Sequence, residues 1–184
     1  MNLLRIAIFA LASAGLVYVS RTSLRRPHAH GFWRFWAWEA IVALVALNAP
    51  VWFRAPLAWQ QLVSWTLLSL SLIPLALGLR QLGCARRAEQ ERPDAALLGF
   101  EKTAELVTTG VYRSIRHPKY SSLLLLAWGV FCKAPSRAGG ALVAAATACL
   151  IATARSEERE NIRFFGAAYT AYIQRTRMFI PFLF

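Results

Sequence analysis

Five runs of apolar residues, near 3–19, 35–53, 57–79, 120–133 and 138–154, constrain this chain more than any other feature. They come as blocks, not at the spacing of a one-sided surface helix. A backbone lying in hydrocarbon must satisfy its own N–H and C=O groups, and uncharged blocks of this kind do so as helices. Hydrophobic residues make up 57% of the chain and charged ones 16%, against roughly half and a quarter in soluble domains. The runs therefore predict an all-α, polytopic transmembrane helical bundle of about five membrane helices. Three of these lie in residues 1–79, and residues 80–184 form a second half with a cytoplasmic loop, a short helical hairpin and an amphipathic C-terminal helix.

The net charge of +12 is a matter of topology and not of nucleic-acid binding. Basic residues alternate between the connecting segments. Residues 20–34, 80–119 and 155–177 hold 17 of the 21 Lys and Arg, while Arg5, Arg54, Lys133 and Arg137 fall on the other side. The positive-inside rule then sets the N-terminus outside and the C-terminus in the cytoplasm, with an odd number of crossings. The basic side is also attractive to anionic lipid headgroups. Ala12-Ser13-Ala14 has the small-residue spacing of a signal-peptide cleavage site. The apolar run nevertheless continues through Val17-Tyr18-Val19, as a spanning helix does.

Local signals refine the bundle. Phe32, Trp33, Phe35, Trp36 and Trp38 form an interfacial aromatic belt at the head of span two. Glu39, one turn in, can snorkel, pair with Arg34 or line a pocket. Span four is short, because the twelve residues from Tyr120 to Phe131 reach roughly 18 Å against a hydrocarbon layer of ~30 Å. Span five is rich in small residues (Gly139, Gly140, Ala144, Ala145, Ala146), which let helices approach closely in lipid. We therefore expect 118–132 to pack against 138–165 as a tight hairpin, with the polar clusters at 106–120 and 155–163 facing one another. Ile162, Phe165, Tyr169, Tyr172 and Ile173 form an apolar stripe along a single helix over 157–176. Gly166 inside that stripe suggests a close approach of backbone or ligand. Cys84, Cys132 and Cys149 have neither paired nor metal-ligand spacing, and His28-Ala29-His30 is a weak metal signal; no metal is expected.

Pro118 suits the first position of a helix and puts His117 at its cap. Free amides at such a terminus favour an anion, with Arg116 beside it. Tyr112 and Tyr120 suit a cation or a flat ring system. Ionisable groups at the mouths of membrane helices point to a ligand.

Leu106-Val107-Thr108-Thr109-Gly110-Val111-Tyr112, then Arg116-His117-Pro118-Lys119-Tyr120, then Glu157-Glu158 with Phe165-Gly166-Ala167-Ala168-Tyr169 and Tyr172 resemble the isoprenylcysteine carboxyl methyltransferase family and its bacterial, phospholipid methyltransferase-like relatives. The resemblance covers residues 106–181. It implies an integral membrane methyltransferase, in a bacterial inner membrane, that takes S-adenosylmethionine from the cytosol and a lipophilic or lipidated acceptor from the bilayer. Matched position by position, it lays cofactor contacts on Leu106, Val107, Tyr112, His117, Pro118, Lys119, Tyr120 and Glu157, to which the helix-end argument adds Arg116. Thr153 stands where the family pattern leads us to expect the Arg that holds an acceptor carboxylate. Arg155, two residues later, is the replacement we expect, acting with Glu157. Ser122 departs from a common glycine, and Met178-Phe179 from the usual Val-Pro. The expected reaction is methylation of a carboxylate, with N- or S-methylation, or a non-catalytic assembly or transport subunit, as alternatives.

Overall fold

A computed structural model of the chain describes residues 3–86 and 106–180. The polar loop expected over 88–102 lies outside the described residues. Among the described residues there are six α-helices: α1 (Leu3–Leu24), α2 (His30–Asn48), α3 (Trp59–Arg86), α4 (Pro118–Phe131), α5 (Arg137–Phe165) and α6 (Ala167–Arg175). Among the described residues the sole β pairing is an isolated parallel bridge between Ile115 and Arg177.

Among the described residues four helices are long and apolar enough to cross a membrane: α1, α2 with its extension to Val51, α3 as far as Gln81, and α5. The fifth expected membrane helix, α4, has 14 residues, a reach of about 21 Å. It is anchored by packing and not by length. Helix α4 lies against α3 and α5, and α2 lies against α5. Gly129 makes the α3–α4 approach close: a Cβ there would stand 3.0 Å from Leu68 Cγ.

The core sits where α2, α4 and α5 meet. One cluster joins Ile41, Leu44, Ala127, Val130, Val143 and Ala146, and a second joins Ala37, Tyr120, Leu150, Ala154 and Phe179. Gly139 and Ala146 are buried, as the small-residue reading of span five expects, whereas Ala144 and Ala145 are exposed and Gly140 faces open space. Helix α1 is the outlier. Only 6% of its apolar window is buried, so lipid must cover most of its surface. Its clearest tie across the membrane is Ser13 Oγ, which donates to Glu39 Oε2 at 2.7 Å.

The two ends of the bundle have different chemistry. At one end Lys133 is nearly inaccessible: its ammonium donates to Gln61 Oε1 at 2.9 Å and lies 3.1 Å from the centre of the Trp65 ring. Asn48 Nδ2 donates to the Val130 carbonyl at 2.7 Å, satisfying an end carbonyl of α4. These contacts clamp the α4–α5 hairpin to α2 and α3. At the other end the polar clusters collect.

One expectation is corrected there. Residues 157–176 are not one helix. Helix α5 stops at Phe165, Gly166 takes φ +59°, and α6 begins afresh at Ala167. A Cβ on Gly166 would touch nothing within 4 Å. The glycine is there for its backbone angle, which L-residues rarely adopt, and not for a close approach. The expected stripe survives in part: Tyr169 and Tyr172 are buried, whereas Ile162 is 39% exposed.

Candidate active site

Backbone pairing brings the first polar cluster into place. The turn Gly110–Arg113 is 3-10, with Gly110 at φ +58°. A Cβ there would overlap the Gln81 amide, and Gln81 Oε1 accepts from the Val111 N–H at 3.2 Å. The next residues run beside the segment after α6. Arg177 N donates to Ser114 O at 3.0 Å, Arg116 N to Arg177 O at 2.8 Å and His117 N to Met178 O at 3.1 Å. Ser121 Oγ adds a bond to Phe179 O at 2.7 Å. A short parallel ladder thus fixes the entry to α4, with Pro118 at its first position and His117 at the cap as expected.

The second cluster arrives on α5. Arg116 Nε donates to Glu158 Oε1 at 2.6 Å, and His117 Nε2 lies 3.3 Å from the same oxygen. His117 Nδ1 is 3.9 Å from Glu157 Oε2, and the Tyr120 hydroxyl donates to that same Glu157 oxygen. The His117 and Tyr120 rings stack with centroids 5.4 Å apart. Four of the expected residues, Arg116, His117, Tyr120 and Glu157, therefore meet in one network. Glu158 is at its centre although the sequence reading gave it no role. Its adjacency to Glu157 was visible; that the helix turns both carboxylates toward α4 was not.

Other placements differ from expectation. The guanidinium of Arg116 also donates to the carbonyls of Ile173 (3.2 Å) and Thr176 (2.6 Å), closing the C-terminus of α6. It is a clamp within the protein, and not a free cation for a ligand carboxylate. The amides at the cap are likewise engaged, since the N–H groups of Tyr120 and Ser121 both donate to the His117 carbonyl. Tyr112 is buried, and its carbonyl accepts from the Tyr172 hydroxyl at 2.6 Å. Burial pushes the Tyr172 and Tyr169 hydroxyls well above the usual tyrosine range. Leu106 and Val107 are half-buried in the strand of chain that enters the 3-10 turn, and Lys119 is half-buried with its ammonium 5.9 Å from the Tyr120 ring centre. Arg155 stays outside the network. It is exposed on the face of α5 beside Trp33 of α2, about 200° around the helix from Glu157. Thr153 is fully buried and donates to the Cys149 carbonyl at 2.7 Å. The His28-Ala29-His30 pair is split: His28 is exposed, whereas His30 Nδ1 lies 2.6 Å from Glu160 Oε2.

Apolar space reaches the network from two sides. A cavity of about 190 Å³ is bounded by Leu75, Leu79, Leu123 and the Tyr120 ring. Another of about 440 Å³ runs along Leu124, Trp128 and Ile180 to Phe179, whose ring centre is 6.2 Å from that of His117. Half-buried acids, a buried histidine and buried tyrosines beside apolar space opening at a membrane helix end can hold a charged cofactor next to a lipophilic molecule.

Residues 89–168 match the phospholipid methyltransferase family model. The phospholipid methyltransferase match takes in the 3-10 turn, α4, α5 and the start of α6, so it spans both halves of the His117–Glu158 network. It agrees with the membrane-methyltransferase resemblance read from the motifs. Neither a curated protein nor a solved structure matches the chain.

Proposed function

We propose that this protein is an integral membrane methyltransferase that uses S-adenosylmethionine and passes its methyl group to a lipophilic acceptor at the His117–Glu157 network. One observation carries the reading: Arg116, His117 and Tyr120 at the head of α4 are joined to Glu157 and Glu158 of α5 over 2.5–3.9 Å, within a segment that is phospholipid methyltransferase-like.

The residues suit such a cofactor by their chemistry. Glu157, whose side chain is 20% exposed, is the acid able to receive an ammonium or ribose hydroxyl group. The Tyr120 ring, stacked on His117, offers an aromatic face to a sulfonium. Leu106, Val107, Tyr112, Pro118 and Lys119 complete the wall in this reading. When bound, the cofactor supplies an electrophilic methyl group. The protein's part is to align the acceptor and exclude water, and positioning of this kind supplies most of the rate. A carboxylate acceptor needs no base. An amine or thiol acceptor releases a proton, and Glu157 beside His117 is the pair to receive it. The 190 and 440 Å³ cavities give an apolar acceptor two approaches from the bilayer. With the basic segments inside, the site faces the cytoplasm of a bacterial inner membrane. We assign Arg155 to lipid capture at the bilayer surface of α5, since it lies far around the helix from Glu157.

Calorimetry of the detergent-solubilised protein with S-adenosylhomocysteine tests the cofactor. We expect micromolar binding, weakened at least tenfold by Glu157→Ala or His117→Ala. No binding by the folded wild type overturns the proposal. Incubation with methyl-labelled cofactor and membrane extract then identifies the acceptor, the label passing to a lipid or lipidated peptide.

A further inference from the structure

Helix α5 carries a second charged face. Arg155, Arg159 and Arg163 recur one per turn, so their side chains share a side of the helix. All three are exposed, and among the described residues none has a carboxylate partner. Arg159 donates instead to Ser156 Oγ at 2.9 Å. The one acid on this side, Glu160, is engaged by α2: it accepts from the His30 N–H at 2.9 Å and lies 2.6 Å from His30 Nδ1. The arginine row therefore keeps its charge.

The row borders two adjoining cavities of about 410 and 470 Å³ that share Trp33, Ser156 and Arg159. The first adds His28 and Arg163 and is mainly polar. The second adds Arg155 and then Ala148, Ile151 and Ala152, so it descends into the apolar part of α5. From Ala148 to Arg163 the groove follows about 22 Å of helix. A small anion would use only its head. A molecule with a phosphate at one end and a hydrocarbon chain at the other fills all of it.

We propose that the α2–α5 groove is a binding site for an anionic phospholipid, separate from the methyl-transfer network. Its phosphate lies among Arg155, Arg159 and Arg163, and one acyl chain runs over Ile151, Ala152 and Ala148 with Trp33 as the wall. Arginine suits the task because its planar fork meets phosphate oxygens two at a time.

Native mass spectrometry of the full chain, titrated with phosphatidylglycerol or phosphatidylcholine, tests this. We expect phosphatidylglycerol to be retained at least tenfold more tightly. Arg159→Gln with Arg163→Gln should remove that preference. Arg54→Gln with Arg137→Gln, an equal loss of charge on the opposite, less basic side, should keep it. Equal weakening by both pairs would mean diffuse attraction and overturn the site. Displacement of the lipid by an equal concentration of inorganic phosphate would overturn the lipid assignment in favour of a free anion. S-adenosylhomocysteine affinity, measured on the same samples, should be unchanged by Arg159→Gln with Arg163→Gln, and its loss there would overturn the separation of the two sites. Failure of the wild type to bind S-adenosylhomocysteine would defeat the methyltransferase reading and leave this one standing.

Discussion

The Tyr172 hydroxyl donates to the Tyr112 carbonyl at 2.6 Å, linking residues sixty positions apart. This bond holds α6 against the turn that leads to His117, and it exists only while Tyr172 keeps its proton. Burial raises the Tyr172 pKa above its ordinary 10.0. Above that pH the unfolded chain has lost a proton that the native state retains, so stability falls as pH rises. The expected fall is roughly 1 kcal/mol near pH 10.5 for each such tyrosine. Tyr172→Phe should cost about 1 kcal/mol at neutral pH and flatten the alkaline decline. Unfolding midpoints in detergent at both pH values check this; an unchanged slope would remove Tyr172 as the cause.

Adjacent acids should behave differently. Glu158 is 13% exposed and faces Arg116, which is 8% exposed. Glu158→Ala leaves two basic groups without their carboxylate and should cost about 3 kcal/mol. Glu157→Ala, at the more open position, should cost less than 1 kcal/mol while abolishing measurable S-adenosylhomocysteine binding. Thermal unfolding together with calorimetry separates the two; equal destabilisation would make Glu157 structural.

The two left-handed glycines offer a second contrast. Gly166→Ala meets only backbone strain, about 1–2 kcal/mol. Gly110→Ala adds a collision with Gln81 and loss of its bond to Val111, so the cost should exceed that of Gly166→Ala by about 1 kcal/mol. Chemical denaturation of both variants tests the order.

Lys133 should matter for folding and not for ligand binding. Lys133→Ala removes the bond to Gln61 and the contact with Trp65, and should cost about 2–3 kcal/mol. S-adenosylhomocysteine affinity per folded molecule should hold. A selective loss of affinity would show that the two ends of the bundle are coupled.

The start of α4 is legible in the sequence, because proline has one favourable place in a helix and His117 must then lie at the cap. The membrane bundle is legible for an equally simple reason: uncharged blocks in lipid have no alternative to helices. Partner choice is not. Arg116 reads as a free cation beside an open terminus, yet it closes α6 and grips Glu158, through contacts set by a chain reversal at Gly166 that helical periodicity does not record. His28-Ala29-His30 gives only a weak metal signal and no hint that Glu160, 130 positions away, engages His30. Only the docking of α2 on α5 creates that contact. Arg155 illustrates the remaining difficulty, since two residues along a helix change which neighbour a side chain meets.

The fourteen residues of α4 fall some 9 Å short of the hydrocarbon they are set in. Lys133 is held at one end and His117 at the other, so the helix cannot slide toward either face. A span too short for its bilayer is met by local thinning, which would draw headgroups along this flank toward the mid-plane. On the proposed reading, that thinning would bring an acceptor's reactive end toward the depth of Tyr120.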